Sequence, residues 1–133
     1  MMFKDNSRVC KAAIKQAQIK WLEAAALAIQ GQAQSLIKND TSNLENSINH
    51  KIVVSKLEAY VGTNCEYAIY VEFGTGEFAE NGRGRKGGWV YQDSQGKYHF
   101  TRGRRPKPYL RPAYRQNKQA LIQLLNKYLR EVN

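Results

Sequence analysis

Residues 8–38 read RVCKAAIKQAQIKWLEAAALAIQGQAQSLIK, and the spacing of their apolar side chains decides the fold. Cys10, Ile14, Ala17, Trp21, Ala25, Ala28, Ile29, Ala33 and Leu36 recur at steps of three and four. That period places side chains on one face of an α-helix. Asp5 and Ser7 are candidate N-caps, since a short oxygen-bearing side chain can take up a first-turn amide. Asn39-Asp40 is the expected stop, and Gly31 a candidate bend. At 1.5 Å per residue the helix runs roughly 45 Å, longer than a small domain needs. The alanine-rich stretch 24–28 leaves room for a second helix, and the surplus length suits contacts with neighbouring subunits.

Ser42-Asn43-Leu44-Glu45 has the Ser-x-x-Glu spacing of a capping box, which opens a helical turn through Ser47 and Ile48. Lys51–Ser55 is short and β-branched, so it reads as a strand. Its antiparallel partner is Ala59–Thr63, across a turn at 56–58. Residues 66–73, EYAIYVEF, fit a two-turn helix with Tyr67, Tyr70, Val71 and Phe73 on one face, and equally an alternating strand. Gly74-Thr75-Gly76 ends either one. Two aromatic runs, 88–93 and 97–101, flank Ser94-Gln95-Gly96, a hairpin signature. Pro112 fits the first turn of a last helix, where a missing N–H does no harm. The apolar stripe of that helix is Ala113, Asn117, Ala120, Leu121, Leu124, Leu125, Tyr128 and Val132, and Arg130 suits its negative end. Together these elements predict one α+β domain over residues 1–133. A long N-terminal and a C-terminal helix pack on a small antiparallel sheet, and residues 74–108 form an extended basic arm carrying the hairpin.

Composition agrees with a single globular domain: 133 residues, 42% hydrophobic and 24% charged. No apolar run approaches the roughly 20 residues of a membrane span, and the opening MMFKDNSR lacks the apolar core of a signal peptide. Cys10 and Cys65 match no metal or disulfide spacing, so reduced thiols in a cytosolic product are expected.

Charge is the remaining global signal. The net charge is +10, and the stretch from Glu77 to Arg111 carries +6 of it. Arg83, Arg85, Lys86, Lys97, Arg102, Arg104, Arg105, Lys107 and Arg111 stand there against Glu77, Glu80 and Asp93. The same stretch holds six of the ten glycines, a composition that packs no core of its own. It reads as a mobile, solvated basic loop or as a contact arm that orders on a polyanion or an acidic partner.

Catalytic chemistry needs a nucleophile, an acid–base group or a metal cluster, and none emerges. His50 and His99 belong to different elements, and His99 alternates with aromatics as a strand residue would. Cys65 has no nucleophile signature and reads as a structural thiol. Glu66 and Glu72 are too far apart to form a carboxylate pair, while Asp93 and Lys97 flank a hairpin turn where both residue types are common. GRGRKGG at 82–88 lacks the Gly-Lys-Ser/Thr ending of a phosphate loop and reads as a basic linker. No catalytic, cofactor-binding or metal-binding residue is therefore assigned, and a small basic hydrolase is the weakest alternative. Contact with nucleic acid has side chains that suit it. Arg83, Arg85, Lys86, Arg102, Arg104, Arg105 and Lys107 can neutralise phosphates, and Trp89 with Tyr91, Tyr98, Phe100 and Tyr109 can stack bases. The aromatics can equally serve as cross-strand pairs in the hairpin.

Three local patterns, in order, resemble one family. Ser42-Asn43-Leu44-Glu45-Asn46-Ser47-Ile48 is similar to a G-x-L-x-x-S-I element, with serine where the family often has glycine. Tyr67-Ala68-Ile69-Tyr70-Val71-Glu72-Phe73-Gly74-Thr75-Gly76 resembles a YA-x-x-VEFGTG core. Pro106-Lys107-Pro108-Tyr109-Leu110-Arg111-Pro112-Ala113 resembles the x-P-x-P-F-L-x-P-A lead-in to a final helix. Over roughly residues 8–130 the chain resembles the gene-10-type tail-component family of long-tailed bacteriophages and prophages. Many relatives shorten or lack the hairpin at 88–101.

The resemblance implies a non-enzymatic structural virion protein, a tail-completion or head–tail joining subunit made in the bacterial host cytoplasm. It implies a homo-oligomeric ring, commonly hexameric, between head connector and tail tube. Genome DNA is a possible contact, and no cofactor, membrane or small-molecule substrate is implied. A ring needs side-to-side contacts that close by rotation, and a helix longer than its domain can supply such a wall. The architectural positions are Leu44, Ser47, Tyr67, Glu72, Phe73, Gly74, Thr75, Gly76, Pro108, Leu110 and Pro112. Among them Phe73 is expected to plug the core and Glu72 to bind arm backbone or Arg111. Tyr109-Leu110 is expected to re-enter the core after the prolines.

Overall fold

A computed structural model describes residues 7–37 and 42–132. The periodic N-terminal stretch forms one helix, α1, Ser7–Leu36. It is followed by α2 (Ser42–Ser47), β1 (Asn49–Val53), β2 (Glu58–Gly62) and α3 (Ala68–Phe73). The arm carries β3 (Trp89–Gln92) and β4 (Tyr98–Thr101), and α4 (Leu110–Arg130) closes the chain. The fold is α+β, with two separate two-stranded antiparallel sheets. The expected cap at Asp5 and stop at Asn39-Asp40 lie outside the described residues, as does the capping side chain of Ser42.

Small side chains let the two long helices approach. On α1 the buried residues are Ala17, Ala25, Ala26 and Ala33, and on α4 they are Ala113 and Leu121. Lys20 sits 4.4 Å from the Tyr128 ring, the Trp21 indole donates to the Leu121 carbonyl at 2.6 Å, and Gln32 donates to Gln116 at 2.8 Å. Contacts that ascend in one helix and descend in the other make the pair antiparallel. The first turns of α1, residues 7–16, precede these contacts and are exposed apart from the half-buried Ala13. Of the expected stripe on α4, Ala120 is exposed: its position in the turn lies to the side of the Ala113–Leu121 line that meets α1.

The core lies at the other end of the helix pair. Ala33, Leu44, Ile48, Ala68, Tyr109 and Ala113 are buried together, with Ile29, Leu36, Val61, Cys65, Val71 and Leu110 packed around them. β1 and β2 pair with Asn49 opposite Gly62 and Val53 opposite Glu58, and they lie on α1. The strands sit slightly earlier than the sequence suggests, because Val54–Lys56 coils into a 3₁₀ turn. Leu57 closes that turn in the left-handed region, φ 51°. The Ser47 hydroxyl meets that of Thr63 at 2.5 Å, which ties α2 to the end of the β1–β2 hairpin.

For residues 66–73 the choice between helix and strand is resolved, and one expectation is corrected. The segment is a helix, and the face it buries is Ala68 and Glu72. Tyr70 is 58% exposed and Phe73 42%, so Phe73 does not plug the core. Tyr109, 1% exposed, fills that place from the far end of the arm. Its hydroxyl donates to the Ala68 carbonyl at 3.3 Å.

Candidate functional site

The arm leaves the core at Gly74 and returns at Pro108, and its two ends lie side by side. Lys107 N–H donates to the Val71 carbonyl at 2.8 Å, Thr75 N–H to Arg104 at 3.0 Å and Glu77 N–H to Arg102 at 2.9 Å. Arg104 N–H also donates to the Thr75 hydroxyl at 2.9 Å. The glycines make this close approach possible. Gly76 has φ +61°, and a Cβ there would overlap the Arg102 carbonyl. Gly74 has φ +81°, and its Cβ would lie 2.9 Å from both the Phe78 carbonyl oxygen and the Pro106 ring. Both positions need a residue without a side chain.

Glu72 holds this root to α4. The exposed first amides of a helix need acceptors, and the lead-in Pro108-Tyr109-Leu110-Arg111-Pro112 offers no Ser, Thr, Asp or Asn as a local cap. The buried Glu72 carboxylate supplies them. Oε2 accepts from Tyr109 N–H at 2.7 Å and Leu110 N–H at 3.1 Å, and Oε1 accepts from Arg111 N–H at 3.1 Å. The next residue, Pro112, has no N–H to satisfy, so the helix start is fully accounted for. Arg111 Nε donates to Glu72 Oε1 at 2.8 Å and Nη2 to the Glu72 carbonyl at 2.9 Å. The rest of the guanidinium fork grips Glu80 of the arm, at 2.9 and 3.0 Å, and its face covers the Phe73 ring at 4.5 Å.

Burial pulls the Glu72 carboxyl upward, but hydrogen bonds from Tyr109, Arg111 and Leu110 outweigh it and hold the group below its ordinary value. Arg111 likewise holds Glu80 down. The Tyr109 phenol is pushed up to about 12, by burial first and by the Glu72 charge second. The sequence suggests the Glu72–Arg111 pairing. It gives no sign of Glu80 as the second carboxylate, since nothing local aligns residues 80 and 111.

Beyond the root, β3 and β4 pair with Trp89 opposite Thr101 and Gln92 opposite Tyr98. Asp93 organises the turn: its carboxylate takes the N–H groups of Gln95 and Lys97, both at 2.9 Å, and meets His99 at 2.7 Å. One hairpin face shows Val90, Tyr98 and Phe100 to solvent, each more than 60% exposed. The arm's carboxylates are all engaged inside it or at its base, because Glu77 accepts from Gly87 N–H at 3.1 Å. Its cations are not matched in the same way. Among the described residues Arg83, Arg85, Lys86, Lys97, Arg102, Arg104, Arg105 and Lys107 form no ion pair. Arg85 lies over the Trp89 ring at 5.6 Å and Arg105 over Phe78 at 5.0 Å.

The structure divides the eight candidate contact residues into groups. Arg83 and Arg85 edge a hollow of about 630 Å³ lined by Ile69, Tyr70 and Phe73. Arg104, Arg105 and Lys107 edge a second, of about 360 Å³, on the other side of Tyr70. Lys86, Trp89 and Arg102 line neither. Among the described residues no three His, Cys, Asp or Glu side chains converge as metal ligands, and no helix is long and apolar enough to cross a membrane.

No curated protein and no solved structure matches the chain. A family model described as "Bacteriophage HK97-gp10, putative tail-component" matches residues 4–74. The match takes in the first motif and the second as far as Gly74. The third motif, most of the arm and α4 lie beyond it.

Proposed function

The chain belongs to the HK97-gp10-like family of phage tail components, and from that premise we propose that it is a tail-completion or head–tail connector subunit. It closes into a ring, six-fold by analogy with the family, between head connector and tail tube. The single observation that carries this is the family match over more than half of the chain. Two features of the molecule support it. The exposed first turns of α1 and the uncovered apolar side chains of α3 and the hairpin are surfaces that a ring neighbour can cover. The arm, stapled at its root, extends the reach of a small core.

Native mass spectrometry of the purified protein and electron microscopy of virions test the proposal. The expected result is a closed ring at one end of the tail. Absence of the protein from purified particles overturns it.

A second reading, a nucleic-acid contact through the arm, is favoured by its eight cations, which have no carboxylate partner among the described residues. If it holds, changing Arg102, Arg104 and Arg105 to Ala lowers DNA affinity and flattens its salt dependence. Unchanged binding removes this reading and leaves the ring intact.

A further inference from the structure

We propose that the smaller hollow at the arm root is a docking pocket for an acidic, apolar-bearing peptide segment of a partner protein. The proposal rests on the virion reading only in taking the ligand to be a protein.

The pocket, about 360 Å³, lies between α3 and the returning segment of the arm, residues 104–107. One wall is apolar, made of Val71 and the rings of Tyr67 and Tyr70. The rest of the lining is Arg104, Arg105 and Lys107 with Thr75, and among the described residues no carboxylate lines the hollow. Three nearby acids are spent elsewhere, Glu72 on the start of α4, Glu80 on Arg111 and Glu77 on Gly87 N–H, and Glu66, which precedes Tyr67, does not line the hollow. Among the described residues the three cations form no ion pair, while the backbone of Arg104 and Lys107 is fixed. Lys107 N–H is bound to Val71 and Arg104 N–H to Thr75, and the Arg105 guanidinium rests on Phe78. Main chain held in place loses little freedom on binding, which leaves only the side chains to be ordered.

The two walls together define the ligand. Carboxylates satisfy the cations with charge-assisted hydrogen bonds. An aliphatic or aromatic side chain covers Val71 and Tyr70, which is 58% exposed. A nucleic-acid duplex answers only the first demand, because its phosphate backbone has no apolar side chain to offer a concave site of this size.

Fluorescence anisotropy of the full chain tests this with three labelled probes: a short peptide alternating Glu with Leu and Phe, a polyglutamate peptide of equal length, and a short DNA duplex. The mixed peptide is expected to bind about tenfold more tightly than polyglutamate. Arg104→Glu, Lys107→Glu and Tyr70→Ala should each weaken it by about tenfold. Lys118→Glu, on the exposed side of α4, should leave it unchanged. All four side chains are exposed, so thermal melting should show folded variants. Equal loss with Lys118→Glu, or no loss with Lys107→Glu and Tyr70→Ala, overturns the proposal. Tighter binding of the duplex with the same sensitivity assigns the pocket to nucleic acid and overturns it too. A ring seen in virions alongside a pocket that fails these tests separates this inference from the proposed function.

Discussion

At the scale of single residues, Glu72 stands out: a carboxylate 3% exposed that takes three backbone amides and one guanidinium nitrogen. Glu72→Gln keeps the shape but turns one acceptor into a donor aimed at donors. It should cost about 2 kcal/mol in urea unfolding, the usual penalty for leaving a buried hydrogen-bonding group unsatisfied. The pH dependence has a definite sign. The folded carboxyl titrates below its ordinary value. Its stabilisation is therefore present at neutral pH and is lost as pH falls through about 4 toward the depressed value. Melting temperature should fall over that window in the wild type and more gently in Glu72→Gln. The residue's role was only half legible. A lone Glu between Val71 and Phe73 resembles any solvent-facing helix residue, and only the absence of a local cap before Pro112 calls for a remote acceptor.

At the scale of elements, the long helices were legible because their apolar period runs over many turns. The aromatic hairpin was legible because its glycine turn sits between β-formers. The facing of α3 was not. Phe73 read as the core plug, whereas the six-residue helix turns Ala68 and Glu72 inward and leaves Ile69, Tyr70 and Phe73 outside. Tertiary demand for an acceptor at the start of α4 overrode hydrophobic pattern. The arm root depends on the glycines that follow. Gly76→Ala combines a left-handed backbone with a clash against Arg102, and about 2–4 kcal/mol of stability should be lost in chemical denaturation. The hairpin behaves differently. No residue of β3 or β4 belongs to the buried core, and isolated two-stranded ribbons are marginal on their own. Replacing Val90–Phe100 by an Asn-Gly turn should shift the melting temperature by no more than about 4 °C.

At the scale of the whole molecule, the buried core is small and dominated by alanines, while many large apolar side chains stay outside it. Such a chain gains stability when copies cover one another. The melting midpoint should therefore rise with protein concentration, which differential scanning fluorimetry over a dilution series checks. The arrangement of the arm also has a mechanical side. Its two ends leave the body side by side, so a tug at the hairpin tip draws both the same way and does not peel one from the other. The load travels down to where Arg111 grips Glu72 and Glu80, and to Tyr109 seated beneath them. The limb is built like a tent line pegged close to the ground, and it should come free by its pegs giving way, with the cloth left whole.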